Sequence, residues 1–425
     1  MSEATRDAYA YAYRGGILHC EACDLAELAR GLGTPTYVYS RRAILEGYGR
    51  YAAALAGRRA LVCYAMKANA NLAVLQLLAR AGSGFDIVSG GELARALAAG
   101  AAPQRIVFSG VGKTAAEIDA ALACGIACFN VESAAELELI DRHARAAGKR
   151  APVSLRINPD VDPGTHPYIS TGLRHNKFGV PAAEAEHLYE SAAAMAGIEI
   201  AGIDCHIGSQ ITTVAPYLDA AERLFDLVDQ LADRGIALRH IDFGGGLGIR
   251  YRPDEAVPEV GELLAGLLDC VDRRGHADKQ LIFEPGRSIV GAAGVLLTRV
   301  LFLKEGAVRP YAIVDAAMND LLRPALYEAW MDVVPVAPRD APARSYDIVG
   351  PVCESADWLA RERQLALGAG DLLAIRGAGA YGMTMASNYN SRGRAAEVLV
   401  DGAAAHVVRD REQPSDLYAG EHLLP

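Results

Sequence analysis

From Thr36 onward the chain alternates between two kinds of stretch. Short apolar, β-prone runs of the length of a buried strand are followed, in every case but the last, by a segment rich in alanine and leucine at helical spacing or by a loop leading to one, the pattern of repeated βα units. Eight runs carry this pattern: ALVCYA at 60–65, FDIVSG at 85–90, RIVFSG at 105–110, ACFNVES at 127–133, PVSLRINP at 152–159, IAGIDCHIGS at 200–209, HIDFGGG at 240–246 and QLIFEPGR at 280–287. Eight units predict a closed (β/α)8 barrel, with an open doubly wound sheet as the alternative, since strand number alone does not prove closure. Lys67, Asp86, His206, the glycines Gly244, Gly245 and Gly246, and Glu284 all fall at the carboxyl ends of these runs. That is the face on which barrels build active sites, and it favours closure.

The helical pattern is lost after Ile289. VLLTRVLFLKEG, RPYAIVDAAM, DIVGPVCES, DLLAIRGAGAY and AEVLVDG read as strands separated by Gly, Pro and Asp turns. The first thirty or so residues, with ILHCEACDLAELA, precede the barrel pattern and are expected to add a strand to this second domain. The expected fold class is thus α/β plus β: a barrel over residues 36–289, inserted into a mainly β domain built from residues 1–35 and 290–425.

Length and composition agree with two domains. A chain of 425 residues exceeds the usual single core, and 51% hydrophobic with 22% charged residues excludes a disordered chain. The net charge of −10, with no long Lys/Arg run, makes nucleic acid or an anionic membrane surface an unexpected partner and a small molecule an expected one. The N-terminus MSEATRDAYAYAYRGG lacks the apolar centre of a signal peptide, and no stretch has the length of an uncharged membrane span. A cytoplasmic protein is expected, with its eight cysteines scattered as reduced thiols and no metal site.

Four features carry chemistry. Lys67 ends a buried strand, where a strongly hydrated ammonium needs a partner; alone it reads as a snorkelling side chain, but desolvation would free its amine to form a Schiff base with an aldehyde. GGGLG at 244–248 follows the seventh run, where barrels bind phosphate, although a tight turn also explains it. EPGR at 284–287 sets Glu284 and Arg287 on one strand end, either as a surface ion pair or with the acid turned inward to a heterocyclic cation. His206 is a satisfied core histidine or a catalyst, and the nearby Ser209 favours the second reading. An amine for an aldehyde, a phosphate cradle and an acid for a ring nitrogen together describe pyridoxal 5′-phosphate, PLP.

YAMKAN around Lys67, FDIVSGGEL around Asp86, HIGS at His206, GGGLGI at Gly244, EPGR at Glu284, RPALY at Arg323, GPVCESAD around Cys353 and GAGAYG around Tyr381 occur in one order along the chain. With these motifs the sequence resembles the fold-type III PLP-dependent decarboxylases over nearly its whole length, and most closely the branch acting on meso-2,6-diaminopimelate. The resemblance implies that Lys67 holds the cofactor, that Glu284 keeps its ring nitrogen protonated and that His206 stacks on the ring. It implies that Asp86, Ser209, Gly244, Gly245, Gly246 and Tyr381 place the cofactor and its phosphate, with Arg156 nearby. By itself Cys353 reads as a small buried apolar residue. The resemblance makes it the proton donor, contributed with Glu354 by a second subunit, and so implies a homodimer with shared active sites.

Arg287, Arg323 and Tyr327 match contacts to the substrate's distal carboxylate, Glu354 matches the contact to its distal amine, and Tyr381 also faces substrate. The stretch Thr165 to Gly179, by composition an exposed Pro/Gly loop, is expected over the site mouth with His166 and Lys177 facing it. The activity implied is decarboxylation of meso-2,6-diaminopimelate to L-lysine and CO2, the last step of lysine biosynthesis. Decarboxylases of ornithine, arginine or carboxynorspermidine are the nearest alternatives, disfavoured by Arg323, Tyr327 and Glu354. Alanine racemase shares the barrel and cofactor but differs in its strand-end motifs, and a non-catalytic regulatory protein of the PLP fold would be expected to lack Lys67 or Cys353.

Overall fold

The computed structural model describes residues 10–169, 171–173, 176–307 and 309–425; the charged residues 1–9, read above as unlike a signal peptide, lie outside them. Contacts divide the chain into two compact units, one of residues 47–249 and 256–288, the other of the remaining residues.

The first unit is the barrel. Its strands are β1 (Ala60–Ala65), β2 (Gly84–Ile87), β3 (Ile106–Phe108), β4 (Cys128–Val131), β5 (Ala151–Asn158), β6 (Ile198–Asp204), β7 (His240–Asp242) and β8 (Gln280–Phe283). All pair in parallel; β8 pairs with β1 through Leu281↔Ala60, and β4 with β5 through Phe129↔Val153, so the sheet closes and the open-sheet alternative fails. The strands read as continuous apolar runs because both faces are buried. Leu61, Cys63, Val107, Cys128, Ala201 and Ile282 fill one layer with apolar atoms, and Lys67, Asp86, Asp204, Asp242 and Glu284 lie at or just beyond the carboxyl ends.

The residues that end these strands also start the helices. Asn71 caps Leu72–Arg80 by accepting the Ala73 N–H, Ser89 caps Gly90–Ala98 through the Glu92 N–H, and Ser133 caps Ala134–Ala146 through the Glu136 N–H. Thr114 and Glu117 form a reciprocal capping box at Ala115–Cys124. Each cap satisfies a donor that the helix leaves open, so the turn from strand to helix is fixed at the face where the functional residues stand.

The second unit is mainly β. Gly294–Lys304 runs through it, antiparallel to Thr36–Ser40, Tyr311–Val314 and Leu372–Arg376, and Ala396–Asp401 pairs in parallel with Thr36–Ser40. The strand Thr36–Ser40 therefore lies in this sheet, although the expected boundary at residue 36 put it at the head of the barrel. TYVYS reads like any buried strand, and only its partners decide its sheet: Tyr37 donates to Asp320 O at 2.6 Å and Tyr39 to Glu397 Oε1 at 2.8 Å. The N-terminal residues add a three-stranded antiparallel sheet (Tyr11–Arg14, Ile17–Cys20, Cys23–Asp24) and the helix Leu25–Leu32, capped by Asp24. Leu18, Leu25 and Ala29 pack with Val38, Val295, Leu297 and Val398 in one core.

Among the strands that escaped the sequence reading, Trp358–Leu365 and Ala404–Arg409 did so because their charged or exposed faces break the apolar run. Cys20 and Cys23 have C-x-x-C spacing, a pairing overlooked in reading the cysteines as scattered, and are cross-strand partners. Burial pushes both thiols up, so neither is a ready thiolate, and all eight cysteines are free. No helix among the described residues is long and apolar enough to cross a membrane.

The GAGAY turn is set by a close backbone approach. A Cβ on Gly379 would lie 1.9 Å from Val290 O and 2.8 Å from Gly294 N. Gly379→Ala is expected to cost about 1–3 kcal/mol, read as a lowered unfolding midpoint in urea. An unchanged midpoint would contradict this packing.

Candidate active site

Past β1 the chain makes one 3-10 turn, Met66–Ala68, which carries Lys67 at the rim of the barrel. Its Nζ lies 2.8 Å from Asp86 Oδ2 on β2; the lysine side chain is 36% exposed, whereas the carboxylate is 0% exposed. The other carboxylate oxygen, Asp86 Oδ1, is buried without a hydrogen-bond partner among the described residues. The partner that a strand-end lysine requires is thus a neighbouring strand's acid.

Three further acids stand on the adjacent strand ends. Asp204 ends β6, Asp242 ends β7 in direct register with it, and Glu284 follows β8; all three are buried, with oxygens within 4.8 Å of one another. Burial pushes Asp242 up to about 7, against the Gly244 N–H that donates to it at 2.8 Å. Burial first, and then the neighbouring acids, hold Asp204 and Glu284 well above the usual carboxylate range. Glu284 Oε1 faces Asn130 Nδ2 at 3.3 Å and Ser109 Oγ at 3.4 Å. Asp204 Oδ1 and Asp242 Oδ2 have no hydrogen-bond partner among the described residues. Arg156 stands with its Nε 4.0 Å from Asp204. The floor is short of positive charge and donors, which suits it to a cation.

His206 lies two residues beyond β6, and its Nδ1 accepts the Gly245 N–H at 3.1 Å, which assigns the ring proton to Nε2. Burial, then Arg156 and Lys67, push its pKa well below the usual value, so the ring is neutral. The three glycines leave no room for side chains: a Cβ on Gly245 would meet Glu284 O at 2.0 Å, and one on Gly246, at φ +103°, would meet Gly208 O at 2.1 Å. Arg287 donates from Nη2 to Ser209 Oγ at 3.0 Å. Lys67, Asp86, Arg156, His206, Ser209, Gly244 to Gly246, Glu284 and Arg287 are therefore brought together on one rim. They suit PLP: an amine for its aldehyde, a backbone cradle too tight for any Cβ beside its phosphate, a neutral ring to face its ring, and unsatisfied buried carboxylate oxygens for its cationic nitrogen.

The other expected residues belong to the β unit. Arg323 and Tyr327 lie in the short helix Arg323–Tyr327; the Arg323 guanidinium is buried, 4.4 Å from the Tyr251 ring centroid and 3.3 Å from Met331 Sδ. Cys353 and Glu354 are exposed in a turn, where Asn390 Oδ1 accepts the Cys353 N–H at 2.9 Å and Tyr389 donates to Glu354 at 3.5 Å. Tyr381 adopts a left-handed φ of +55°.

Within the loop expected over the mouth, Ser170, Arg174 and His175 lie outside the described residues. His166 packs edge-on to Tyr168, and Lys177 Nζ lies 5.3 Å from the Phe178 ring. Sequence reasoning missed Ser109, Asn130, Asp204 and Asp242. The signal for the two acids was present, since each is the last residue of a buried strand.

Asp242 gives a pH-dependent expectation. Its folded pKa exceeds the unfolded one, so the stability it contributes is complete below about pH 4 and is lost as pH rises through about 7. Asp242→Asn keeps an acceptor for the Gly244 N–H and carries no charge. In cofactor-free protein it is expected to gain stability over the parent between pH 4 and pH 8, on the order of 1–3 kcal/mol by urea unfolding. A difference that does not change with pH would contradict the buried, proton-holding carboxyl.

Residues 41–291 match the family model described as the pyridoxal binding domain of pyridoxal-dependent decarboxylases. The chain is 59% identical over 415 residues to the diaminopimelate decarboxylase of Pseudomonas aeruginosa, covering 98% of this chain and 99% of that protein. It superposes on the crystal structure of diaminopimelate decarboxylase from M. jannaschii in complex with L-lysine with a TM-score of 0.94, at 39% identity and 99% coverage of both chains. The Helicobacter pylori enzyme, also complexed with L-lysine, gives a TM-score of 0.90 at 43% identity, covering 94% of this chain and 99% of that one. The chain belongs to the pyridoxal-dependent decarboxylases, in the diaminopimelate decarboxylase family.

Proposed function

We propose that the chain removes one carboxylate from meso-2,6-diaminopimelate to give L-lysine and CO2, the last step of lysine biosynthesis, with PLP held at the barrel rim. The observation that carries this reading is the Lys67–Asp86 pair beside the buried acid Glu284, in a chain alike over its whole length to enzymes of that name. When bound, PLP supplies an aldehyde that condenses with amines and a ring that withdraws electrons from the bond to be broken.

The side chains would divide the remaining work. Lys67 Nζ is the amine that carries the cofactor, and Asp86 orients it and balances its charge. Glu284, caged by Ser109 and Asn130, holds a proton on the ring nitrogen; a cation beside it offsets the burial that otherwise keeps it protonated. His206, neutral and fixed through Nδ1, offers a flat face that adds no charge to the ring. Gly244 to Gly246, with Ser209 and Tyr381, receive the phosphate.

Arg287, Arg323 and Tyr327 clamp the distal carboxylate of the substrate, and Glu354, with Tyr381 nearby, receives its distal ammonium. Cys353 delivers a proton to the α-carbon as CO2 leaves, so one proton is taken up per turnover. Its exposure in the single chain is consistent with Cys353 and Glu354 serving a second copy, which makes the working unit a homodimer with shared sites. A cytoplasmic location fits eight free thiols.

The test offers purified protein, with PLP, diaminopimelate and ornithine side by side, and measures CO2 and amine products. Diaminopimelate should be turned over and ornithine should not; preference for ornithine would overturn the reading. Arg323→Ala should raise KM for diaminopimelate about tenfold or more, the loss expected for a charge-assisted contact. An unchanged KM would remove Arg323 from the clamp.

A further inference from the structure

One buried carboxylate at the rim has no part in the proposed chemistry, yet it joins two other strands to the chain that returns after β5. Glu132 follows β4 with its side chain 2% exposed. Its Oε1 accepts the Gly110 N–H beyond β3 at 3.0 Å and Arg156 Nη1 of β5 at 3.2 Å. Its Oε2 accepts the Gly179 N–H at 2.9 Å, at the point where the long connection after β5 returns to pair Val180 with Ile157. A second ion pair stands behind it: the Glu132 N–H donates to Glu136 Oε2 at 2.9 Å, and Lys113 Nζ donates to Glu136 Oε1 at 2.7 Å.

Arg156 carries the connection inward. Its Nη2 donates to His206 O at 3.4 Å, its Nε lies 4.0 Å from Asp204, and its guanidinium stands 5.0 Å from the Phe178 ring centroid. Asn158 fixes the same return of the chain by donating to Leu173 O at 2.8 Å and Phe178 O at 3.3 Å. The carboxylate thus joins the end of the loop to the arginine that holds the His206 peptide.

We propose that Glu132 is a positioning residue, which anchors the returning chain at Gly179 and aims Arg156 at the His206 peptide, so that the seating of the cofactor ring and the fit of substrate depend on it. The chemistry requires a carboxylate. Three donors converge on two acceptor oxygens, whereas an amide offers one oxygen and one NH2, so glutamine must set a donor against either Gly179 or the Gly110–Arg156 pair. A buried donor facing a donor is destabilising, and the chain at that contact gives way.

The experiment uses the PLP-loaded enzyme and the variants Glu132→Gln and Glu132→Asp. It reads hydrogen exchange by peptide, visible circular dichroism of the bound cofactor, the thermal midpoint, and kcat and KM for diaminopimelate. The expected result for Glu132→Gln is exchange about tenfold faster at Gly179 and its neighbours, with β3, β4 and β5 unchanged, an altered cofactor dichroism, and KM raised about tenfold with a smaller change in kcat. Glu132→Asp, which keeps the charge but not the reach, should move the same readouts less, and it decides the matter if the glutamine variant does not fold. Unchanged dichroism and KM in a folded variant would overturn the proposal. So would faster exchange spread evenly over the three strands with a lowered midpoint, the mark of a brace with no bearing on the site. The inference rests on the reading of the rim as the cofactor site: a parent enzyme without cofactor dichroism or turnover defeats that reading, whereas a parent with both and an unaltered variant defeats only the role of Glu132.

Discussion

The site depends on an ammonium held 2.8 Å from a fully buried carboxylate at the mouth of a closed barrel. Burying a charge costs several kcal/mol unless it is paired, and this rim buries Asp86, Asp204, Asp242 and Glu284 together with Glu132. Lys67 pairs with Asp86 and Arg156 stands 4.0 Å from Asp204, and in the proposed function Lys67 must also be available as an amine. Held protons make up part of the shortfall, as the raised pKa values of Asp242 and Glu284 indicate. A cationic ring bound there would make up the rest. In the proposed function, the pairing that looks like structural glue also leaves the rim ready for the cofactor.

The barrel makes this arrangement affordable. Its apolar layer of Leu61, Cys63, Val107, Cys128, Ala201 and Ile282 closes the interior, so that polar side chains collect at the carboxyl ends, where strands give way to capped helices. The tight approaches at Gly245 and Gly246 bring backbone close to the rim where any side chain would collide. Glu132 and Arg156 join this rim to the chain that returns after β5.

Much of this was legible in the sequence, for a physical reason. A barrel strand is a short apolar run on which a polar residue is conspicuous, so Lys67, Asp86, His206 and Glu284 stood out where they ended such runs. Thr36–Ser40 was misplaced because a buried strand reads alike in either sheet, and partners such as Asp320 and Glu397 lie about 280 and 360 residues away in sequence. Asp204 and Asp242 were just as visible as Asp86, but their meaning lies in a register across β6 and β7 that no local pattern states. Asn130, Ser109 and Glu132 act only through neighbours on other strands. Cys353, Glu354, Arg323 and Tyr381 had no local signal and entered through the family resemblance alone.

The account comes down to one nitrogen. Loading the protein with PLP, reducing it with borohydride and mapping the adduct by peptide mass spectrometry asks which amine carries the cofactor. The account predicts a single stable adduct, on Lys67. An adduct on another lysine, or none in protein that retains the cofactor, would contradict it.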